Sequence, residues 1–210
     1  MKIIFDFDHT LFSVKKLYFA LEEAFFKLGV EEKLFQETFE KSKIKKRSYD
    51  PDKQIQLIVK VKPGIKKSDF KREYKKTLKR ATQFLYSDTI WFLKRWRKKA
   101  KLILLSYGEE KFQRDKIKTS KIEKYFQKRV KITRDIDKVE PFKKLFQKKE
   151  KLIFIEDNPM ALSEAKKIFP NVITIRINRG EGKYSKEPNN PQIDFSIKNL
   201  KELEKILNSL

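Results

Sequence analysis

Asp6 and Asp8 stand two residues apart where the apolar run Ile3-Ile4-Phe5 ends. In an extended backbone that spacing turns both carboxylates to one side. Two acids converging there suit a hard cation such as Mg²⁺, or a nucleophile paired with an acid/base. The plainer reading is a pair of turn acids leaving a strand. A second acidic pair, Glu156-Asp157, follows the apolar run Leu152–Ile155 and precedes Asn158-Pro159. Pro159 is placed to start a helix whose N-terminus faces the same region. Glu156 and Asp157 could complete an oxygen-ligand set for Mg²⁺, or simply cap that helix. Between these pairs, Ser106-Tyr107-Gly108 follows Leu102–Leu105, and a hydroxyl with the backbone N–H groups of a Gly-containing turn can hold phosphate oxygens. Lys138 lies in the loop from Asp135 to Pro141, where a cation could neutralise a phosphoryl group and a neighbouring carboxylate. Lys143 and Lys144 fall inside the helix expected over Glu140–Phe146, and Lys131 on the preceding strand is the second choice.

The elements that must position these groups alternate. Short apolar strands are predicted at Lys2–Phe5, Lys101–Leu105, Arg129–Ile132, Leu152–Ile155, Val172–Ile177 and near Ile193–Phe195. Helical patterns cover about 88–99, 109–126 (broken near Ser120), 159–169 and 199 onward. Such alternation implies an α/β fold, a Rossmann-like parallel sheet with helices on both faces, and ligands then bind beyond the carboxyl ends of the strands. An all-helical insertion follows the first strand. Leu17, Leu21, Ala24, Phe25 and Leu28 share one helix face that Gly29 can end, a second helix covers about 31–47, and a third runs from Ser68-Asp69 toward Leu85. Tyr49-Asp50-Pro51-Asp52 and Pro63-Gly64 read as turns. Residues 1–12 and 87–210 thus form the core and 13–86 the insertion. Tyr18, Phe19 and Phe26 belong either to the core or to the insertion's inner face.

Composition sets outer limits. The 210 residues suffice for one domain with a sizeable insertion, and 18 Phe, 7 Tyr and 2 Trp argue for a folded chain despite 39% charged residues. With no Cys, disulfides, thiol nucleophiles and Cys-type zinc sites are excluded, and one His excludes a multi-His metal cluster. No apolar run approaches the roughly 20 residues that span a bilayer, and MKIIFDFD is no signal peptide, so a cytoplasmic protein without a membrane partner is expected. The net charge of +23 invites a nucleic-acid partner. The cations are 42 Lys to 10 Arg, however, whereas phosphate and base recognition leans on Arg. Residues 13–87 hold 20 Lys+Arg against 10 Asp+Glu and the rest hold 32 against 19, so the excess is not concentrated in one part.

The four segments, in this order, resemble the haloacid dehalogenase (HAD) superfamily of phosphotransfer enzymes: Asp6-Phe7-Asp8-His9-Thr10, then Ser106, then Lys138, then Glu156-Asp157. The resemblance implies that Asp6 is a nucleophile forming an aspartyl-phosphate and that Asp8 protonates the leaving oxygen, then activates water. It implies that Ser106, the backbone of Tyr107 and Gly108, and Lys138 bind the phosphoryl oxygens. Mg²⁺ would sit on Asp6, the main-chain carbonyl of Asp8 and Asp157, with Glu156 as a further candidate, and Thr10 would hydrogen-bond locally to hold the turn. Many members carry a further acid after the fourth motif, whereas Ala161 and Leu162 stand four and five residues past Asp157 here. The presence of Asp8 argues against dehalogenation. The insertion matches a helical cap, and its size suggests a small phosphorylated metabolite as substrate. The expected activity is therefore Mg²⁺-dependent phosphomonoester hydrolysis; a phosphomutase using the same two acids, and a non-catalytic basic nucleic-acid-binding protein, are the alternatives. The basic loop Arg176–Tyr184 either reaches an anionic substrate or is solvated, and His9 is given no chemistry.

Overall fold

The structure, a computed structural model, describes residues 1–44, 48–134, 138, 140, 143 and 150–210. Its centre is a sheet of six parallel strands: β1 (Lys2–Phe5), β2 (Lys101–Tyr107), β3 (Val130–Thr133), β4 (Leu152–Glu156), β5 (Ile173–Ile177) and β6 (Phe195–Ile197). Their order is β3-β2-β1-β4-β5-β6, so β1 lies inside, between β2 and β4. Strand residues alternate between two cores. Ile3, Phe5, Leu102, Leu104, Ile153 and Ile155 face the larger one, and Ile4, Ile103, Leu105 and Phe154 face the smaller. Both faces are thus covered, as the apolar strand runs require.

Among the described residues there are eight α-helices: α1 (Val14–Phe26), α2 (Glu32–Ser42), α3 (Pro51–Val61), α4 (Lys67–Lys79), α5 (Thr89–Trp96), α6 (Glu110–Thr119), α7 (Pro159–Ile168) and α8 (Leu200–Ser209). α1 to α4 fall between β1 and β2 and pack chiefly on one another, with Phe25 meeting Phe35 and Phe70 ring to ring at 5.7 and 5.1 Å. None of the described helices is long and apolar enough to cross a membrane.

Several expected boundaries move. The turn expected at Tyr49–Asp52 is in fact a helix start: the Asp50 side chain accepts from the Lys53 N–H and Pro51 takes the first helical position, opening α3. α4 stops at Lys79 and a short 3₁₀ turn, Ala81–Phe84, carries the chain to Leu85. The helix expected over 109–126 ends at Thr119, followed by a 3₁₀ turn at Glu123–Tyr125. β6 begins where the last strand was expected to end. β2 runs two residues further than expected and β4 one, so Ser106, Tyr107 and Glu156 lie on strands rather than in the turns after them. Most of the helix expected over 140–146, and most of the loop around Lys138, lie outside the described residues.

Candidate active site

The carboxyl ends of β1, β2 and β4 open into a cavity of about 350 Å³ between the sheet and the insertion. Its floor comes from the strand ends. Asp6 continues the β1 ladder by donating its N–H to the Ile155 carbonyl at 2.9 Å, which sets it beside Glu156. Lys138, buried and in a left-handed backbone conformation (φ 57°), bridges the two acids: Nζ lies 2.5 Å from Asp6 Oδ1 and 2.5 Å from Glu156 Oε2. The other oxygen of Glu156 accepts from the N–H groups of Asp157 and Asn158, both at 3.2 Å. Asn158 in turn caps α7 by accepting from the Met160 N–H. Glu156 is therefore engaged at both oxygens.

At the strand ends, Asp6 Oδ2, Asp157 Oδ2 and Ser106 Oγ are buried with no hydrogen-bond partner among the described residues. Native interiors rarely leave such groups unpaired, so a ligand is the natural partner. Asp6, Glu156 and Asp157 each offer an oxygen within 4.8 Å of the others, a spacing that could hold a metal ion. With Glu156 committed to Lys138 and the backbone, the oxygens left for a cation are those of Asp6 and Asp157. The charges agree with a site short of positive charge. Burial pushes the Asp6 carboxyl up to about 7, Glu156 adds to the push and Lys138 opposes it. Asp157 is also raised well above the ordinary carboxylate value, by burial first and then by Glu156 and Asp6. Burial works against the Lys138 charge, but Asp6 and Glu156 more than offset it and hold its pKa up.

Comparison with known proteins places this geometry. The sequence model of the haloacid dehalogenase-like hydrolases matches residues 3–175. The chain belongs to that family. No curated protein matches the sequence. Among solved structures, one assigned as a haloacid dehalogenase-like hydrolase from Burkholderia xenovorans is 16% identical with a TM-score of 0.77, over 99% of this chain and 96% of that one. YfnB from Bacillus subtilis, assigned as a HAD-hydrolase and bound to magnesium, is 16% identical with a TM-score of 0.65, covering 99% and 98%. A protein assigned as a beta-phosphoglucomutase from Thermotoga maritima is 18% identical with a TM-score of 0.62, covering 100% and 99%. Others among the matches are dehalogenases and proteins assigned as phosphatases. At these identities the likeness establishes the fold, a Rossmann-like α/β core of the HAD type.

In this hydrolase the second acid, Asp8, has partners that sequence reasoning missed. Lys116 Nζ lies 2.6 and 2.7 Å from its two oxygens, and Gln113 Nε2 donates to Oδ2 at 2.8 Å. Both come from one face of α6, at i and i+3. Lys116 is fully buried and its ammonium also lies over the rings of Phe7, Phe12 and Phe112 at 5.3, 5.4 and 4.6 Å. Burial lowers its pKa, and Asp8 opposes that shift. The available signal was a Lys four residues after Phe112, on the apolar stripe of α6.

Three expectations about the turns need correction. The Gly108 N–H already donates to the Thr133 carbonyl at 3.0 Å, so in this arrangement it cannot also hold a phosphate oxygen. What Gly108 provides is space: a Cβ there would meet Gln113 Nε2 at 2.5 Å and displace the side chain that holds Asp8. The Thr10 hydroxyl, expected to brace the first turn, is buried without a partner among the described residues. The brace comes from Arg179, which donates to the Thr10 carbonyl at 2.9 and 3.1 Å and pairs with Asp88 at 2.8 Å. Of the basic loop, Arg179 is thus structural, while Lys183 and Tyr184 reach the cavity. Lys131 is exposed on β3, and Lys143 pairs with Glu140 at the surface. Tyr18 lines the cavity, but Phe19 and Phe26 are 53% and 66% exposed, neither core nor lining.

Proposed function

We propose that the protein hydrolyses small phosphomonoesters through an aspartyl-phosphate on Asp6. The observation that carries this reading is the meeting of Asp6 Oδ2 and Asp157 Oδ2, unpartnered among the described residues, on the floor of one cavity with Lys138 beside them, while the buried Ser106 Oγ, likewise unpartnered, stands near the end of β2. A carboxylate oxygen of Asp6 attacks phosphorus as the bond to the ester oxygen breaks, and Asp8 gives that oxygen a proton. Asp8 then takes a proton from a water molecule whose oxygen attacks phosphorus, releasing inorganic phosphate and restoring Asp6. Ser106 Oγ and Lys138 meet the phosphoryl oxygens. Asp6, Asp157 and the main-chain carbonyl of Asp8 would hold Mg²⁺, which supplies positive charge against the repulsion between an anionic nucleophile and an anionic ester. Glu156 anchors Lys138 and is not placed among the direct ligands.

Asp8 must exchange one of its bonds to Lys116 or Gln113 for the leaving oxygen, so α6 sets where the acid waits. Residues 13–86 act as a cap, since Val14, Leu17, Tyr18 and Leu21 of α1 wall the cavity opposite the acids. Closing such a wall over the ester excludes bulk water. The test is release of inorganic phosphate from a panel that includes acetyl phosphate and alkyl phosphomonoesters, with Mg²⁺ and with chelator. Wild type should release phosphate only with the metal, and Asp6→Asn should lose at least about a thousandfold in kcat. Equal inactivity of both proteins across the panel defeats the reading. Isomerisation of a sugar phosphate without phosphate release would assign a mutase instead.

A further inference from the structure

The wall opposite the acids has a chemistry of its own. Tyr18, Phe39 and Tyr49 form a continuous aromatic surface along the insertion, with ring centroids 4.9 Å apart for Tyr18–Phe39 and 4.6 Å for the stacked Phe39–Tyr49. Phe112 of α6 extends it, 5.1 Å from Tyr49. Val14, Leu17 and Leu21 supply the remainder of the apolar lining. The polar side chains that the described part of the insertion gives to this wall are already engaged. Tyr49 donates its hydroxyl to Gln54 Oε1 at 2.5 Å, and Tyr18 donates to Glu22 at 3.4 Å. Ser48 Oγ accepts the Glu109 N–H at 2.7 Å, and Lys43 pairs with Glu40 at 2.5 Å while lying over the Phe39 ring. The wall therefore presents ring faces and aliphatic carbon to whatever stands on the acids.

Resting on the phosphatase reading of the floor, we propose that this compartment takes phosphomonoesters of apolar, ring-bearing alcohols in preference to polyol phosphates. A sugar hydroxyl entering it gives up water and meets, along the wall, side chains whose hydrogen bonds are committed elsewhere; the polar groups left open in the cavity, Gln113 Oε1, His9 Nδ1 and the Lys183 ammonium, come from outside the insertion. A ring loses little on leaving water and gains edge and face contacts with Tyr18, Phe39, Tyr49 and Phe112. A pocket of this kind discriminates against added hydroxyls by about ten- to a hundredfold.

The experiment compares kcat/KM for 2-phenylethyl phosphate, glycerol phosphate and a hexose 6-phosphate. All are phosphates of simple alcohols, so leaving-group chemistry is nearly matched. Wild type should favour the phenylethyl ester by about tenfold or more. Phe39→Ser should cut that ratio at least about fivefold, with Phe39→Leu falling between. A lower folded fraction scales all substrates alike and leaves the ratio unchanged, so the ratio reports on the wall. Equal or polyol-favoured kcat/KM, or a ratio untouched by Phe39→Ser, overturns the proposal. Acetyl phosphate has no ring to place and reports on the floor alone. Its Asp6-dependent hydrolysis together with a polyol preference sinks the wall proposal and leaves the phosphatase standing. Should no ester be turned over, calorimetry with 2-phenylethylphosphonate against 3,4-dihydroxybutylphosphonate decides: binding about tenfold tighter for the ring sustains the proposal, and equal affinity ends it.

Discussion

The two sides of the cavity solve opposite problems. The floor, from the ends of β1, β2 and β4, gathers Asp6, Glu156, Asp157 and Lys138 and leaves Asp6 Oδ2, Asp157 Oδ2 and Ser106 Oγ unpartnered. The wall, from α1 and the segment around α2 and α3, directs the hydroxyls of Tyr18 and Tyr49 to neighbours and leaves ring surface facing the cavity. Unsatisfied buried polar atoms cost stability, so a fold retains them where a ligand will meet them. A satisfied wall costs little and selects by shape. In the proposed reading chemistry sits on the strand ends and selectivity on the inserted helices, so the two should respond differently to substitution.

The floor should be the more fragile. Removing Lys138 strands two buried carboxylates, and breaking such a pair by deleting one partner costs about 3–5 kcal/mol. Lys138→Met should therefore lower urea-unfolding stability by that much, whereas the wall variant Phe39→Leu should cost about 1 kcal/mol. Similar losses from both would erase the distinction between the two sides.

Metal and pH should also act on the floor alone. Without a metal, burial pushes the Asp6 carboxyl up to about 7, above the ordinary 3.8 it regains on unfolding. The folded state then holds this proton more tightly than the unfolded chain. Its contribution to stability is complete below about pH 4 and is lost as pH rises through about 7. Mg²⁺ held at the proposed site would compete with protons for the same oxygens, so it should stabilise more at pH 8 than at pH 6. At a hundredfold excess over its Kd the gain is about 2.7 kcal/mol. Melting curves in chelator and in Mg²⁺ at both pH values check this, and the dependence should vanish in Asp6→Asn carrying Asp157→Asn.

Lys116 joins the two sides, since it holds Asp8 while packed against the Phe112 ring of the wall. Asp8 keeps some access to solvent, so Lys116→Met should cost less than Lys138→Met, about 2 kcal/mol. Its catalytic signature should depend on the leaving group. If Asp8 is the proton donor as proposed, alkyl phosphates should lose about ten- to a hundredfold in kcat, while acetyl phosphate, with its far better leaving group, should lose much less. An equal loss on both substrates assigns Lys116 a purely structural role.

How much of this was legible in the sequence differs between the same two sides. The strand ends were readable because each presents a short apolar run broken by an acid or hydroxyl, a local pattern that needs no tertiary knowledge. The alternation behind them implied the parallel sheet correctly. The wall was not readable. Pro51-Asp52 looked like a turn because a helix start and a turn use the same residues, so α3 went unseen, and with it the Gln54 that receives Tyr49. Lys116 was hidden among 42 lysines, since only the approach of α6 to Asp8 distinguishes it. Gly108 was assigned to phosphate binding from type and place, while its N–H is taken by an adjacent strand end that only the sheet order reveals.

The smallest expected effect tests whether the wall is in fact closed to hydrogen bonding. Tyr49→Phe removes the hydroxyl that donates to Gln54 Oε1 and leaves the ring where it stands between Phe39 and Phe112. Gln54 is fully buried and keeps its bonds from Nε2 to the Phe35 carbonyl and Thr38, so one acceptor is left unmet. The cost should be about 1 kcal/mol, read from the urea midpoint at unchanged slope. Because that hydroxyl is spent on Gln54, the ratio of kcat/KM for phenylethyl and glycerol phosphates should stay within about twofold of wild type. A selective loss on glycerol phosphate would mean that the Tyr49 hydroxyl turns toward substrate, and the wall would then share the floor's habit of holding polar groups open for a ligand.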